Sequence, residues 1–278
     1  MSTQNALLTI LVEKIKNDTL VLPTLPAVAL KVRKAADDPD INLQGMGEVI
    51  AQDPSLSARM IKISNSAYMG RSVKVTSVSQ AVTRIGLRQI KNIATALAME
   101  QLFVSKNELV GQYMKNEWAK TIDVVANAMA TLQLYIARTK KRDMSIDTMA
   151  LTALVHSIGV LPILTEAERH VEVFASPGFL DDAIDKLSHR IGGSIMRDWE
   201  FGDEFVVVAE RWQDLSYIPD KLTYIDFVRV GAALAGQVDN QKDAILNLAI
   251  QRGVVEDINV LMSDEFADMR SAAKQVFA

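Results

Sequence analysis

Few residues in this 278-residue chain have types and spacing suited to chemistry. There are three histidines, His156, His170 and His189, and no cysteine. The lack of cysteine removes disulfides, thiol nucleophiles and thiolate-held zinc, and fits a reducing compartment. His156 sits in the run Leu154-Val155-His156-Ser157-Ile158-Gly159. An imidazole there could ligate a metal or act as a general base. A core or cleft histidine held by hydrogen bonds is the simpler role. His170 and His189 read as surface residues. Asp181, Asp182 and Asp185 could gather carboxylates, but near a helix start they fit the preference of acids for the first turn. No Gly-rich phosphate loop or Ser-centred nucleophile motif is present. Gly192-Gly193 reads as a close-packing or kink position.

Charge is distributed unevenly. Residues 54–99 hold no Asp or Glu, yet carry Arg59, Lys62, Arg71, Lys74, Arg84, Arg88 and Lys91, a charge of +7. Residues 143–278 carry −12, within a chain of net charge −4. Arg59 and Lys62 share one helix face, and Arg88, Lys91 and Thr95 share another. Both faces oppose apolar stripes, so these side chains are predicted to be exposed. A merely solvated face is the plain alternative. The functional one is an acidic protein partner, held by Arg59, Lys62, Arg88 and Lys91. Nucleic acid fits less well. Tyr68 alone is available for base stacking, and the helix after Gly86 offers few base readers beyond Arg88, Gln89 and Asn92. No cofactor is expected.

The elements that must position these residues read almost entirely as helix. Leu7, Leu8, Leu11, Val12 and Ile15 recur at helical spacing over 6–16, and Ala27 to Ala36 forms a second helix. Asn42 caps a third. Asp53 caps a fourth, with Pro54 at its first position, and Asn65 with Gly70 ends it in a left-handed turn. Ser77 caps a helix that Gly86 breaks, and another follows from Leu87. Further helices are predicted at about 112–138, from Ser145 towards Gly159, and at 165–174, 179–188, 190–199, 203–213 and 223–238. Two more occupy the tail. Pro177-Gly178 and Pro219-Asp220 read as turns. No stretch alternates like a strand, so the fold class is all-α. The polar stretch Ser105–Gly111 divides an N-terminal helix (1–19) and a helical subdomain (20–110) from a C-terminal subdomain (111–278). Met1 to Gln4 lacks a leader pattern, and no apolar run is read as a membrane span of roughly 20 residues. The expectation is a cytoplasmic protein without membrane contact.

Four ordered motifs resemble one family. They are Leu22-Pro23-x-Leu25-Pro26, Asp53-Pro54-Ser55-Leu56, Asn65-Ser66-Ala67-Tyr68 and Gln80-Ala81-x-x-x-Ile85-Gly86-Leu87. Together they are similar to the HDOD domain, an output domain related to the HD metal-dependent phosphohydrolases. The resemblance spans roughly Leu20 to Trp212. It implies an N-terminal helical subdomain on a degenerate HD-like bundle, and a role in bacterial signal transduction as a regulatory binding module. The alternatives are a divergent metal-dependent phosphohydrolase and a nucleic-acid-binding regulator. An active HD site needs an adjacent His-Asp pair. Here His156 is followed by Ser157. The family's upstream His falls near Lys120 and its later Asp near Ala232. Gly192 and Trp199 match the family's Gly-to-Trp spacing, which puts further His positions at Ser188, Arg211 and Trp212. His156 is thus the one residual metal candidate, and no catalytic residue is expected.

Overall fold

The computed structural model describes residues 4–66, 69, 73–170 and 177–277; the side chains of 4–7, 177 and 179 fall outside that description. Among the described residues every regular element is a helix, as the periodicity requires. The chain runs through α1 (Gln4–Lys16), α2 (Ala27–Ala36), α3 (Leu43–Ala51), α4 (Pro54–Ser64), α5 (Val78–Ile85) and α6 (Leu87–Ala98). It continues with α7 (Glu108–Thr139), α8 (Ile146–Val155), α9 (Val160–Arg169), α10 (Pro177–Asp198) and α11 (Asp203–Arg211). α12 (Tyr224–Leu234), α13 (Lys242–Gln251) and α14 (Asp264–Gln275) complete it.

Side-chain caps set many of the starts. Asn42 accepts from Gly45 N at 2.9 Å, Asp53 from Leu56 N at 2.8 Å and Ser77 from Gln80 N at 3.3 Å. Asn107 opens α7 in the same way, at 3.0 Å. Each such cap is worth about 1 kcal/mol. Some predicted boundaries move. The two helices expected at 179–188 and 190–199 are one, α10, and Pro177 opens it rather than turning the chain. α9 starts at Val160, ahead of the expected 165. Asn65 is right-handed (φ −97°), not left-handed. Its amide instead pairs with the backbone of Val75, donating to the carbonyl and accepting from the N–H at 2.7 Å each. Ala67, Tyr68, Gly70 and Arg71 lie outside the described residues.

Two glycines allow helices to touch through backbone. A Cβ on Gly159 would lie 1.8 Å from the carbonyl oxygen of Ser188 and 2.6 Å from Gly192 N, so the start of α9 sits directly on α10. A Cβ on Gly231 would lie 2.6 Å from the carbonyl oxygen of Val124, which fixes α12 on α7. The stretch Ile146–Arg169 is apolar enough to cross a membrane, contrary to the sequence expectation, but 89% of its most apolar window is buried inside the fold. It is core.

Polar ties join the N-terminal helices to the C-terminal ones. Trp199 Nε1 donates to the carbonyl of Pro23 at 2.9 Å, and Arg33 lies 4.0 Å over the ring of Phe201. Asn92 on α6 donates to Asp147 at 2.9 Å and Thr148 at 3.1 Å on α8. Lys14 on α1 pairs with the buried Glu166 on α9, which also holds Arg169 at 3.2 Å. Burial pushes the Glu166 carboxyl up, but the Lys14 hydrogen bond and the charges of Lys14, Arg169 and His170 outweigh it and hold it below the usual range.

Gly159→Ala is expected to lower stability by about 3 kcal/mol or more, because the clash is with backbone that cannot rotate away. Gly178→Ala meets nothing within 4 Å and should raise the melting temperature slightly, by the helix preference of Ala over Gly. Thermal melts of the two variants side by side check the close approach; equal effects would contradict it.

Candidate ligand cleft at His156

α8 ends at Val155, and the turn 156–159 delivers His156 and Ser157 into the interior before Gly159 anchors α9. His156 is 1% exposed. Its Nδ1 lies 2.6 Å from the carbonyl oxygen of Ala153, and its Nε2 lies 2.9 Å from the side-chain amide of Gln237. A carbonyl only accepts, so Nδ1 carries the proton. Oε1 of Gln237 is the atom that faces Nε2. In the neutral ring Nε2 accepts, so the Gln237 amide is assigned turned over, with its NH₂ donating. Burial pushes the imidazolium pKa below its ordinary value, against the raising effect of the Ala153 hydrogen bond. The Trp212 ring meets the imidazole edge-on, with centroids 4.9 Å apart.

Trp212 is placed by a second buried group. Arg229 on α12 is 1% exposed, and it donates to the carbonyls of Trp212 (3.0 Å), Arg211 (3.0 Å), Asp214 (2.6 Å) and Tyr217 (2.9 Å). A single guanidinium thus gathers the chain leaving α11 into a fixed loop. Burial pushes the pKa of Arg229 down, against the raising effect of nearby Asp226 and Asp214. Asp226 in turn pairs with Arg252 at 2.6 Å.

Ser157 Oγ lies 3.0 Å from Thr121 Oγ1, and both residues are buried. Thr121 is thus the α7 residue that faces inward beside Ser157. Lys120, one residue earlier, is exposed and paired with Glu117 at 3.0 Å. Ala232 is fully buried among apolar neighbours on α12. The cleft over these groups has a volume of about 250 Å³, with Glu117, Lys120, Asp181, Asp185, Trp212 and Gln237 on its walls. Asp182 turns aside to Lys186 (2.6 Å). His170 lies beside Glu166, 3.3 Å away, outside the cleft lining, as does half-buried His189. Among the described residues no three His, Asp or Glu side chains are disposed to hold a metal ion. A divalent hydrolytic centre needs imidazole and carboxylate ligands, whereas these places hold a hydrogen-bonded imidazole, two neutral hydroxyls and a methyl group.

The basic residues differ from the exposed face that periodicity predicts. Arg59 is half-buried: it donates to the Leu97 carbonyl at 2.6 Å and pairs with Glu100 at 2.7 Å. Lys91 is half-buried and pairs with Asp37. Thr95 is fully buried and donates to the Lys91 carbonyl at 2.7 Å. Arg84 donates to the carbonyls of Ser64, at 2.9 Å, and Val73. Acids just outside the window thus reach into it. Lys62 and Arg88 are exposed, as expected. Gln237, Arg229 and Glu166 were not legible as functional or structural keys, since each acts through a partner distant in sequence.

The HDOD domain family model matches residues 22–215. The chain belongs to the HDOD family. It is similar over its whole length, and the whole length of the other chain, to a crystal structure from Shewanella amazonensis SB2B, at 41% identity and a TM-score of 0.94; that protein is provisionally named a metal-dependent phosphohydrolase. A protein from Marinobacter aquaeolei VT8, provisionally named for signal transduction, shares the fold at 18% identity and a TM-score of 0.60, with 99% of this chain matching 65% of that one. An uncharacterized protein of Treponema pallidum (strain Nichols) is 24% identical over 213 residues, 72% of this chain and only 39% of that protein's length.

Because the folded His156 binds its proton more weakly than an unfolded one near the ordinary value of about 6.5, the unfolded chain takes up more protons at mildly acid pH. The His156 contribution is therefore neutral above that value, and stability declines as pH falls through it. Denaturant midpoints from about pH 7.5 to about 5.5 should show the decline. Nitrogen-detected NMR should show one neutral ring with its proton on Nδ1. A doubly protonated ring at neutral pH would contradict this geometry.

Proposed function

We propose that this chain is a non-catalytic regulatory module of bacterial signal transduction that acts by binding an acidic protein partner. One observation supports it above others: His156, the remaining imidazole of the HD set, has both nitrogens hydrogen-bonded to the protein's own groups. Beside it the Ser157–Thr121 hydroxyl pair stands where charged ligands would be needed. The signal-transduction naming of the Marinobacter protein agrees with this reading. The basic stretch is the docking surface we favour. Of its four candidate cations, Arg59 and Lys91 shape the surface through their ion pairs, and exposed Lys62 and Arg88 meet the partner.

The second reading, a divergent phosphohydrolase, is favoured by the provisional name of the 41% identical Shewanella protein. Purified protein incubated with manganese, nickel, iron or magnesium is expected to turn over neither nucleotides, cyclic dinucleotides nor generic phosphoesters. Ser157→Asp should not create activity, because the places read at Lys120 and Ala232 still lack ligands. Robust turnover that His156→Ala abolishes would sink the regulatory reading. With a partner in hand, Lys62→Glu combined with Arg88→Glu should slow association and leave the melting temperature nearly unchanged, since exposed substitutions usually cost under about 0.5 kcal/mol. Added salt should weaken the same complex. Equal association rates for the double variant and the wild type would remove the basic face from the account.

A further inference from the structure

A hollow of about 250 Å³ lies between the end of α7 and the chain that joins α13 to α14. Leu134 and Tyr135 on α7, with Val254, Val255 and Val260 on the joining segment, make its walls mostly apolar. Small-molecule sites run to about 300–1,000 Å³, so this one suits a single side chain better than a ligand. Such a side chain stands next to it. Val260 and Ser263 line the hollow, whereas Met262, between them, is 78% exposed, more than any other large apolar side chain among the described residues. Leu261 takes the inward place in the short 3-10 turn Ile258–Met262, which leaves Met262 beside the hollow rather than in it. A lone exposed apolar side chain is ordinary; one beside an apolar hollow that it does not fill is less so. Charge is divided across the same surface. Arg138, on the α7 wall, is neutralised by Glu256 at 3.2 Å and donates to the carbonyls of Gly253 and Val254. The chain then leaves α7 through exposed Lys140, Lys141 and Arg142, which with Asp143 carry +2. The α14 wall is acidic: exposed Asp264 and Glu265 open that helix with −2, and Glu265 lines the hollow. Lys140, Lys141, Arg142, Asp264 and Glu265 make no ion pair among the described residues.

We propose that two copies of this chain pair about a two-fold axis, with Met262 of each filling the hollow of the other. An axis lying in the contact plane between knob and hollow sets every feature against the one on its far side. Met262 then meets the hollow, and the basic end of α7 meets the acidic start of α14. One operation thus answers both the apolar and the charged parts of the surface, which a foreign partner would have to match separately. Methionine is flexible enough to fill an irregular gap, and its sulfur gains from contact with an aromatic ring such as Tyr135. An apolar centre within a polar rim is the usual anatomy of a specific interface. This surface shares no residue with the basic stretch 54–99 or with the His156 cleft, so loss of the dimer would leave docking of an acidic partner intact.

The test is sedimentation velocity with light scattering on the full chain. A monomer–dimer equilibrium is expected, with the dimer dominant by about 100 µM. Met262→Asp alters an exposed side chain and should leave a cooperative melt, yet raise the dimer dissociation constant by about tenfold or more, because each dimer loses both of its anchors. Met262→Leu should keep the dimer. Charge reversal supplies a second arm. One protein carries Asp264→Lys with Glu265→Lys, and another carries Lys140→Glu, Lys141→Glu and Arg142→Glu. Each alone should be monomeric, and the mixture should form a one-to-one heterodimer, since both charged contacts are then restored. Adding Met262→Asp to both should abolish that heterodimer. Two-fold pairing is overturned if the wild-type chain stays monomeric at about 100 µM, which would leave the hollow to a foreign chain, or if the assembly is larger than a dimer. It is equally overturned if Met262→Asp leaves the dissociation constant unchanged, or if the reversed variants dimerise alone or fail to pair when mixed.

Discussion

The contact between Gly159 and α10 governs the arrangement of the C-terminal helices. With hydrogen as its side chain, the start of α9 rests on the backbone of Ser188 and Gly192. That contact leaves the turn 156–159 no freedom to swing, so His156 and Ser157 are delivered inward at a fixed depth. Ser157 then meets Thr121 on α7, and His156 meets Gln237 beyond α12. α7 and α12 are themselves locked by the second close approach, at Gly231. Arg229 closes the system by drawing the chain after α11 over the imidazole as Trp212. Packing at two glycines therefore sets where His156 and Ser157 stand relative to Thr121 and Gln237.

That geometry explains the chemistry of the cleft. An imidazole nitrogen can accept one hydrogen bond or donate to one metal, but not both at once. Gln237 holds Nε2 and Ala153 holds Nδ1, so the ring is satisfied as a neutral, buried group. Replacing a bridging carboxylate with Ser157 removes the charge that would otherwise require a cation. Thr121 then pairs that hydroxyl instead of leaving it unsatisfied, which in a buried site matters more than the net value of the bond. The result is a consistent network of neutral groups. Restoring one carboxylate to it would bury an unpaired charge, which is costly.

Local physics was legible in the sequence, and long-range pairing was not. Asn42, Asp53, Ser77 and Ser145 each cap the helix their spacing announces, because a cap needs only a neighbour three residues on. α10 was split at His189 in the reading, whereas the helix runs on through it; Gly192, read as a close-packing or kink position, does serve packing, with a Cβ there only 3.3 Å from Ala209. The exposure of Arg59 and Lys91 was misjudged for a related reason. A helical wheel knows the apolar stripe of its own helix, but not that Glu100 and Asp37 approach from elsewhere. Asn65 does end α4, as expected, but in a right-handed conformation, and its side chain pairs with Val75, ten residues on. Arg229, Gln237 and Glu166 carry no local signature at all.

The residues that carry the family likeness do architectural work. Pro23 of the first motif receives the indole of Trp199, and Arg33 stacks on Phe201 beside it, so the N-terminal connector is tied to the end of α10. Asp53 and Asn65 begin and brace α4, and Gly86 takes the positive φ of 87° that lets α5 turn straight into α6. Asn92 on α6 then reaches α8, one helix before His156. None of these residues touches the positions where an HD enzyme needs its ligands. In this chain they form a joint between the N-terminal group of helices and the helices that carry His156. A joint of that kind transmits a change at one end only if both ends are held by short, stiff contacts, and direct hydrogen bonds and backbone packing supply them here.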